Sequence, residues 1–166
     1  ICVLSIAGSD SGSGAGIQSD IKTFKNHGVY GLSAVTAVTA QNTRGVQRSL
    51  SMPARMIDSQ LKSIFDDFKV KAVKTGMLAR PNVIHVIAKH VKKHKGLKLV
   101  VDPVILSKNG FIMLNKQGIR SLKKDLLPLT YLLTPNIPEA EILTGLTIDT
   151  IEDLETAAVM LRDMGA

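Results

Sequence analysis

Five times along this chain a short apolar run ends abruptly in glycine or polar residues, and four of those breaks lead into a segment whose apolar residues recur at helical spacing. ICVLSI (1–6) ends in Gly8-Ser9-Asp10, LSAVTAVTA (32–40) in Gln41-Asn42-Thr43, and VKAVKTG (70–76) in Gly76-Met77. KLVVDPV (98–104) holds Asp102-Pro103, and YLLT (131–134) runs into Pro135-Asn136. The continuous apolar run ICVLSI suits a buried parallel strand, LSAVTAVTA is rich in β-branched and small residues, and the segments between the runs suit the crossover helices that parallel strands require. Ile17, Ile21 and Phe24 make one such helical face, with Gly28 as its stop. Ile57, Leu61, Ile64 and Phe68 follow Pro53, and Ile84, Ile87 and Val91 follow Pro81. A further helix is expected around Ile119, Leu122 and Leu126, and a short one with Pro138 near its first turn. The last should start at the capping pair Thr150 and Asp153 and present Leu154, Ala158 and Leu161. The expected fold is therefore α/β, a mostly parallel central sheet with helices on both faces, in one domain over residues 1–166.

In such sheets ligands bind beyond the carboxyl ends of the strands, where this sequence places its polar breaks. The first break, AGSDSGSGAGIQSDIKTF (7–24), is glycine-rich, but it is not a dinucleotide fingerprint. After Gly12 and Gly14 the third glycine position holds Ile17, and after Gly14 and Gly16 it holds Ser19. Nor is there a P-loop, because neither Lys22-Thr23 nor Lys74-Thr75 follows a glycine. On spacing alone a tight structural turn and a ligand loop remain equally open.

The formal charge of +7 favours an anionic partner without choosing one. Much of it sits in KHVKKHKGLK (89–98), read as the solvated face at the cation-favouring end of a helix. With few aromatic residues for stacking, neither nucleic acid nor membrane is expected as a partner. No apolar stretch approaches the roughly 20 residues of a membrane-spanning helix, and the start lacks a signal-peptide pattern, so a cytoplasmic protein is expected. The lone cysteine, Cys2, reads as a small buried hydrophobe.

Five blocks in order, AGSDSGSGAGIQSDIKTF, TAVTAQNTRGV, VKTGML, VVDPVILSKNG and LLTPNIPEAEILTG, resemble the hydroxymethylpyrimidine and phosphomethylpyrimidine kinases of thiamine biosynthesis, within the ribokinase-like group. The resemblance implies phosphorylation of 4-amino-5-hydroxymethyl-2-methylpyrimidine, and then of its monophosphate, with ATP as co-substrate and Mg2+. It implies that the glycine turn walls the pyrimidine pocket. Gly8, Asp20, Gln41, Met77 and Val104 are then the substrate-binding residues. A glutamine carboxamide suits a ring nitrogen beside an exocyclic amine, as in the reading of adenine. Asn136 and Glu139 match an N-x-x-E motif that orients Mg2+ through water, with Asp102 nearby and Lys108 within reach of a phosphate. Taken without the motif, Glu139 is a surface acid, Asp20 a first-turn acid and Lys108 a solvated lysine.

The chain departs from the family at its end. Nothing after the last helix matches the glycine-rich anion hole, so no catalytic base is assigned, and both are expected beyond Ala166. The chain thus resembles the amino-terminal, substrate-binding portion of such a kinase, expected to be inactive alone and a homodimer at full length. A pyridoxine or pyridoxal kinase of the same group and a non-catalytic pyrimidine-binding module are the alternatives.

Overall fold

The structure, a computed structural model, describes residues 1–107, 110 and 112–166. Six strands form one sheet: β1 (Cys2–Asp10), β2 (Tyr30–Asn42), β3 (Gly45–Ser51), β4 (Val70–Thr75), β5 (Lys98–Val101) and β6 (Leu132–Leu133). Their spatial order is β3-β2-β1-β4-β5-β6, and every pair is parallel except β2 with β3. Helices α1 (Gly16–Asn26), α2 (Ala54–Asp67) and α3 (Pro81–Lys93) supply the first crossovers. α4 (Lys116–Ser121) runs on through a π-helical turn and a 3-10 turn to Leu129, and α5 (Ile137–Thr144) and α6 (Ile151–Asp163) follow β6.

Side-chain alternation along the strands assigns the two faces. Leu4 and Ile6 of β1 and Val73 of β4 point into a core shared with Ile57 and Leu61 of α2 and Ile84 and Ile87 of α3. Their neighbours Ser5 and Lys74 point the other way, where both reach Asp20 of α1. α1 lies so close to the sheet that a Cβ on Gly31 would stand 2.7 Å from Ile21 Cδ1. It buries no residue completely, and Ile17, Ile21 and Phe24 are half-buried.

The alternating order and the helix signals are as expected. Gly28 follows α1 with a left-handed φ of 69°, Pro81 opens α3, and both Asn136 and Thr150 head capping boxes. Four expectations need correction. The first strand does not stop at residue 6 but continues to Asp10, because β2 runs beside it that far. β3 was not expected, and it pairs antiparallel with β2 at the sheet edge. α6 buries Ala157 and Leu161, whereas Leu154 and Ala158 are exposed. The 89–98 run is not a uniformly solvated face. Its lysines are exposed, but His90 is buried against Asp58 at 2.8 Å and His94 stacks on Phe65 at 4.1 Å. Cys2 is half-buried.

Candidate functional site

The carboxyl ends of β1, β2 and β4, with the segment after β5, enclose a cleft of about 610 Å³. Its wall is the glycine turn after β1, and the turn is organised by a side chain that sequence reasoning passed over. Asp10 is 5% exposed, and its carboxylate accepts the backbone N–H groups of Gly12 at 2.8 Å, Gly14 at 3.0 Å and Ala15 at 2.9 Å. A buried carboxylate needs such partners, and the three amides lie in the turn that leads into α1. The consequence is chemical: amides committed to Asp10 are not offered to a phosphate, which fits a wall and not a phosphate cradle. The sequence hint was an aspartate two residues before the first of the clustered glycines, an Asx-turn signal. Gln18 completes the closure, accepting from the Asp10 N–H at 2.9 Å and donating to Ser9 Oγ at 2.7 Å.

Two register shifts in the pairing of β2 lie beside the cleft. The register against β1 slips between Ala7 and Gly8, leaving Thr36 as the extra residue in β2; its buried hydroxyl donates to the Met77 carbonyl. That bond holds the loop after β4 against the sheet. Met77 then lies over Gly8 so closely that a Cβ on Gly8 would stand 2.6 Å from Met77 Cε. The second slip, against β3, falls between Ala40 and Gln41. There Ser11 brackets the Gln41 backbone, accepting from its N–H at 2.8 Å and donating to its C=O at 2.7 Å. The Gln41 side chain has only a long 3.5 Å contact from Thr39 Oγ1 among the described residues, so its carboxamide retains donor and acceptor capacity toward the cleft.

The cleft brings together Gly8, Gln41, Met77, Val104 and Asp102. Asp20 does not line it. It lies behind Lys74, which does, and also accepts from the buried Ser5 hydroxyl at 2.6 Å. Contrary to expectation, Thr134, Pro135 and Asn136 also lie outside the lining. Asn136 caps α5, accepting the Glu139 N–H at 2.9 Å. Lys108 lies outside the described residues.

Glu139 is 4% exposed, not a surface acid. One oxygen accepts from the Asn136 N–H at 3.0 Å and the other from the Ile105 N–H at 3.3 Å, which ties α5 to the segment after β5. Burial raises its pKa above the ordinary carboxylate value, the two N–H bonds oppose the rise, and the negative charge of Asp102 adds to it. No group of three or more potential metal-ligating side chains exists among the described residues. Glu139 itself does not line the cleft, whereas Asp102 does and is paired with Lys74 at 3.3 Å; a carboxylate oxygen accepts more than one hydrogen bond, so both acids retain acceptor capacity toward water.

Residues 10–166 match the phosphomethylpyrimidine kinase family. The chain is 45% identical over 163 residues to the hydroxymethylpyrimidine/phosphomethylpyrimidine kinase of Bacillus subtilis, an alignment covering 98% of this chain and 60% of that protein. Among solved structures, a phosphomethylpyrimidine kinase from Clostridium difficile superposes with a TM-score of 0.92 at 44% identity, over 99% of this chain and 71% of that one. The pyridoxal kinase of Staphylococcus aureus, solved in complex with pyridoxal, superposes with a TM-score of 0.90 at 34% identity, over 99% and 61%. The chain thus spans about 60% of the length of the Bacillus subtilis and Haemophilus influenzae kinases and 34% of a bifunctional thiamine biosynthesis protein from Geobacter sulfurreducens. By this match across nearly its whole length, and by the ribokinase-like sheet that carries its cleft, the chain belongs to the phosphomethylpyrimidine kinase family.

Proposed function

We propose that the protein phosphorylates 4-amino-5-hydroxymethyl-2-methylpyrimidine with ATP, and then the resulting monophosphate, in thiamine biosynthesis. The observation that carries this reading is the Gln41 carboxamide, pinned by its backbone to the glycine turn and left with hydrogen-bonding capacity toward the cleft. It would present an acceptor and a donor to the aminopyrimidine edge. Met77, packed on Gly8, and Val104 supply apolar surface for a flat ring. In this reading residues 1–166 are the pyrimidine-binding portion of a cytoplasmic enzyme, and the anion hole and catalytic base come from beyond Ala166. Asp102 and Glu139 would hold Mg2+ through water beside the phosphates, with Asn136 fixing Glu139. The metal would supply charge to offset that of the phosphoryl group in transfer. A homodimer is the expected assembly at full length. No helix among the described residues is long and apolar enough to cross a membrane.

A second reading, phosphorylation of pyridoxine or pyridoxal, is favoured by one observation: pyridoxal kinases are among the structures that superpose on the chain. The full-length protein should be incubated with ATP, Mg2+ and either the hydroxymethylpyrimidine or pyridoxal, and the phosphorylated products separated by chromatography. Pyrimidine monophosphate and diphosphate formed in preference to pyridoxal phosphate support the first reading. Pyridoxal phosphate as the main product supports the second, and pyrimidine binding without any phosphoryl transfer would make the protein a binding module.

A further inference from the structure

One charged side chain of the cleft has no part in the reading above. Lys74 projects from β4 toward α1, and its Nζ lies 3.3 Å from both carboxylate oxygens of Asp20 and 3.3 Å from Asp102 Oδ2. The lysine side chain is 24% exposed, and those of Asp20 and Asp102 are 16% and 36% exposed. Asp20 is further fixed by the fully buried Ser5 hydroxyl. Gly76 lies directly against the ammonium, since a Cβ there would stand 3.1 Å from Nζ.

An ammonium has three donors and no acceptor, and here it is shared between two acids of different parts of the cleft. Asp20 belongs to α1, under the wall assigned to the pyrimidine. Asp102 follows β5, on the side assigned to the phosphates, and its charge is felt by Glu139. Without the cation the two carboxylates would face each other across a partly dehydrated gap and would repel. We propose that Lys74 is a positioning residue: by holding Asp20 and Asp102 at once, it sets the pyrimidine side of the cleft relative to the phosphate side. This rests on the functional reading given above.

The test uses the full-length protein with KM for the pyrimidine, the Mg2+ concentration for half-maximal rate, and kcat measured separately. Lys74→Met should worsen both the pyrimidine KM and the Mg2+ requirement, each by roughly fivefold or more, because misplacing groups at both sides is costly. Lys74→Arg, which keeps the charge, should recover most of both. Loss of thermal stability with unchanged KM and Mg2+ requirement in the folded enzyme would mean a merely structural lysine and overturn the proposal, as would a change confined to one side. If Lys74→Met does not fold, Asp20→Asn decides the matter, because Asp20 does not line the cleft and reaches the phosphate side only through Lys74. A raised Mg2+ requirement in the folded Asp20→Asn enzyme supports the proposal, and an unchanged Mg2+ requirement overturns it. Wild-type protein that neither binds nor phosphorylates the pyrimidine overturns the functional reading and this proposal with it. Wild-type activity with an indifferent Lys74→Met overturns the proposal alone.

Discussion

Replacing Gly16 by alanine should be among the most damaging single-methyl changes in this chain. Gly16 opens α1 at φ 60°, and a Cβ built there would run into the carbonyl oxygen of Gly8. That oxygen belongs to β1, paired with β2 in the middle of the sheet, so it has no free direction in which to retreat. A left-handed φ on alanine costs about 1–2 kcal/mol, partly offset by roughly 0.5–1 kcal/mol from the lower chain entropy of alanine when unfolded. Overpacking against fixed atoms adds about 1–3 kcal/mol, for a net loss near 3 kcal/mol. Gly28 is the control for the conformational part: its φ is 69°, but among the described residues nothing stands within 4 Å of an added Cβ. Gly28→Ala should cost only about 1 kcal/mol. Gly14→Ala, with only Asp10 Oδ2 near at 3.9 Å, should be close to neutral. Denaturant unfolding of the three variants checks this order, and thermal unfolding should show Gly16→Ala lowered by about 6–12 °C. Equal losses for Gly16→Ala and Gly28→Ala would refute the close approach of α1 to β1 that shapes the cleft wall.

The raised pKa of Glu139 means that the folded state holds this proton to higher pH than the unfolded chain does. Its contribution to stability is therefore most favourable below the ordinary carboxylate value of 4.5 and declines as pH rises from there through the raised value. Stability of Glu139→Gln, measured by denaturant midpoint from pH 4 to 8, should lack that decline, and parallel curves for wild type and variant would contradict it. The same variant, in the full-length enzyme, should lower kcat and raise the Mg2+ requirement while leaving pyrimidine affinity unchanged in calorimetry. Ala79, at φ 62° beside Leu78, carries the left-handed cost without glycine's freedom, so Ala79→Gly should stabilise the fold by up to about 1 kcal/mol, read as a higher denaturant midpoint.

What was legible in the sequence follows from how each signal arises. Strands rich in apolar and β-branched residues that end in glycine or polar breaks leave a local pattern, so β1, β2, β4, β5 and β6 were visible, and the capping residues Asn136 and Thr150 act within one turn of chain. β3 was not visible, because GVQRSLS lies at the sheet edge, is largely exposed, and offers little apolar alternation; only its pairing with β2 makes it a strand. Leu154 and Ala158 were misassigned because helical periodicity gives a stripe but not which neighbouring stripe is covered. His90 was hidden in a lysine run, its burial depending on Asp58 from another helix. Gln41, Met77, Gly8 and Val104, which line the cleft, were named through the resemblance, not through spacing. Lys74 was tested only as a P-loop lysine, and its two carboxylates come from distant parts of the chain, a relation no local pattern encodes.

The central claim, that the cleft beyond β1, β2 and β4 is a pyrimidine site read by Gln41, is tested most directly by calorimetric titration of the hydroxymethylpyrimidine into full-length wild type and Gln41→Ala. Wild type should bind saturably and the variant should lose about 1–3 kcal/mol, because polar groups on the bound ring lose their partner. Unfolding midpoints should stay the same, since among the described residues the Gln41 side chain makes only the long Thr39 contact. An unchanged Kd in Gln41→Ala, with the wild type binding the ring, would contradict the reading of the pyrimidine by Gln41.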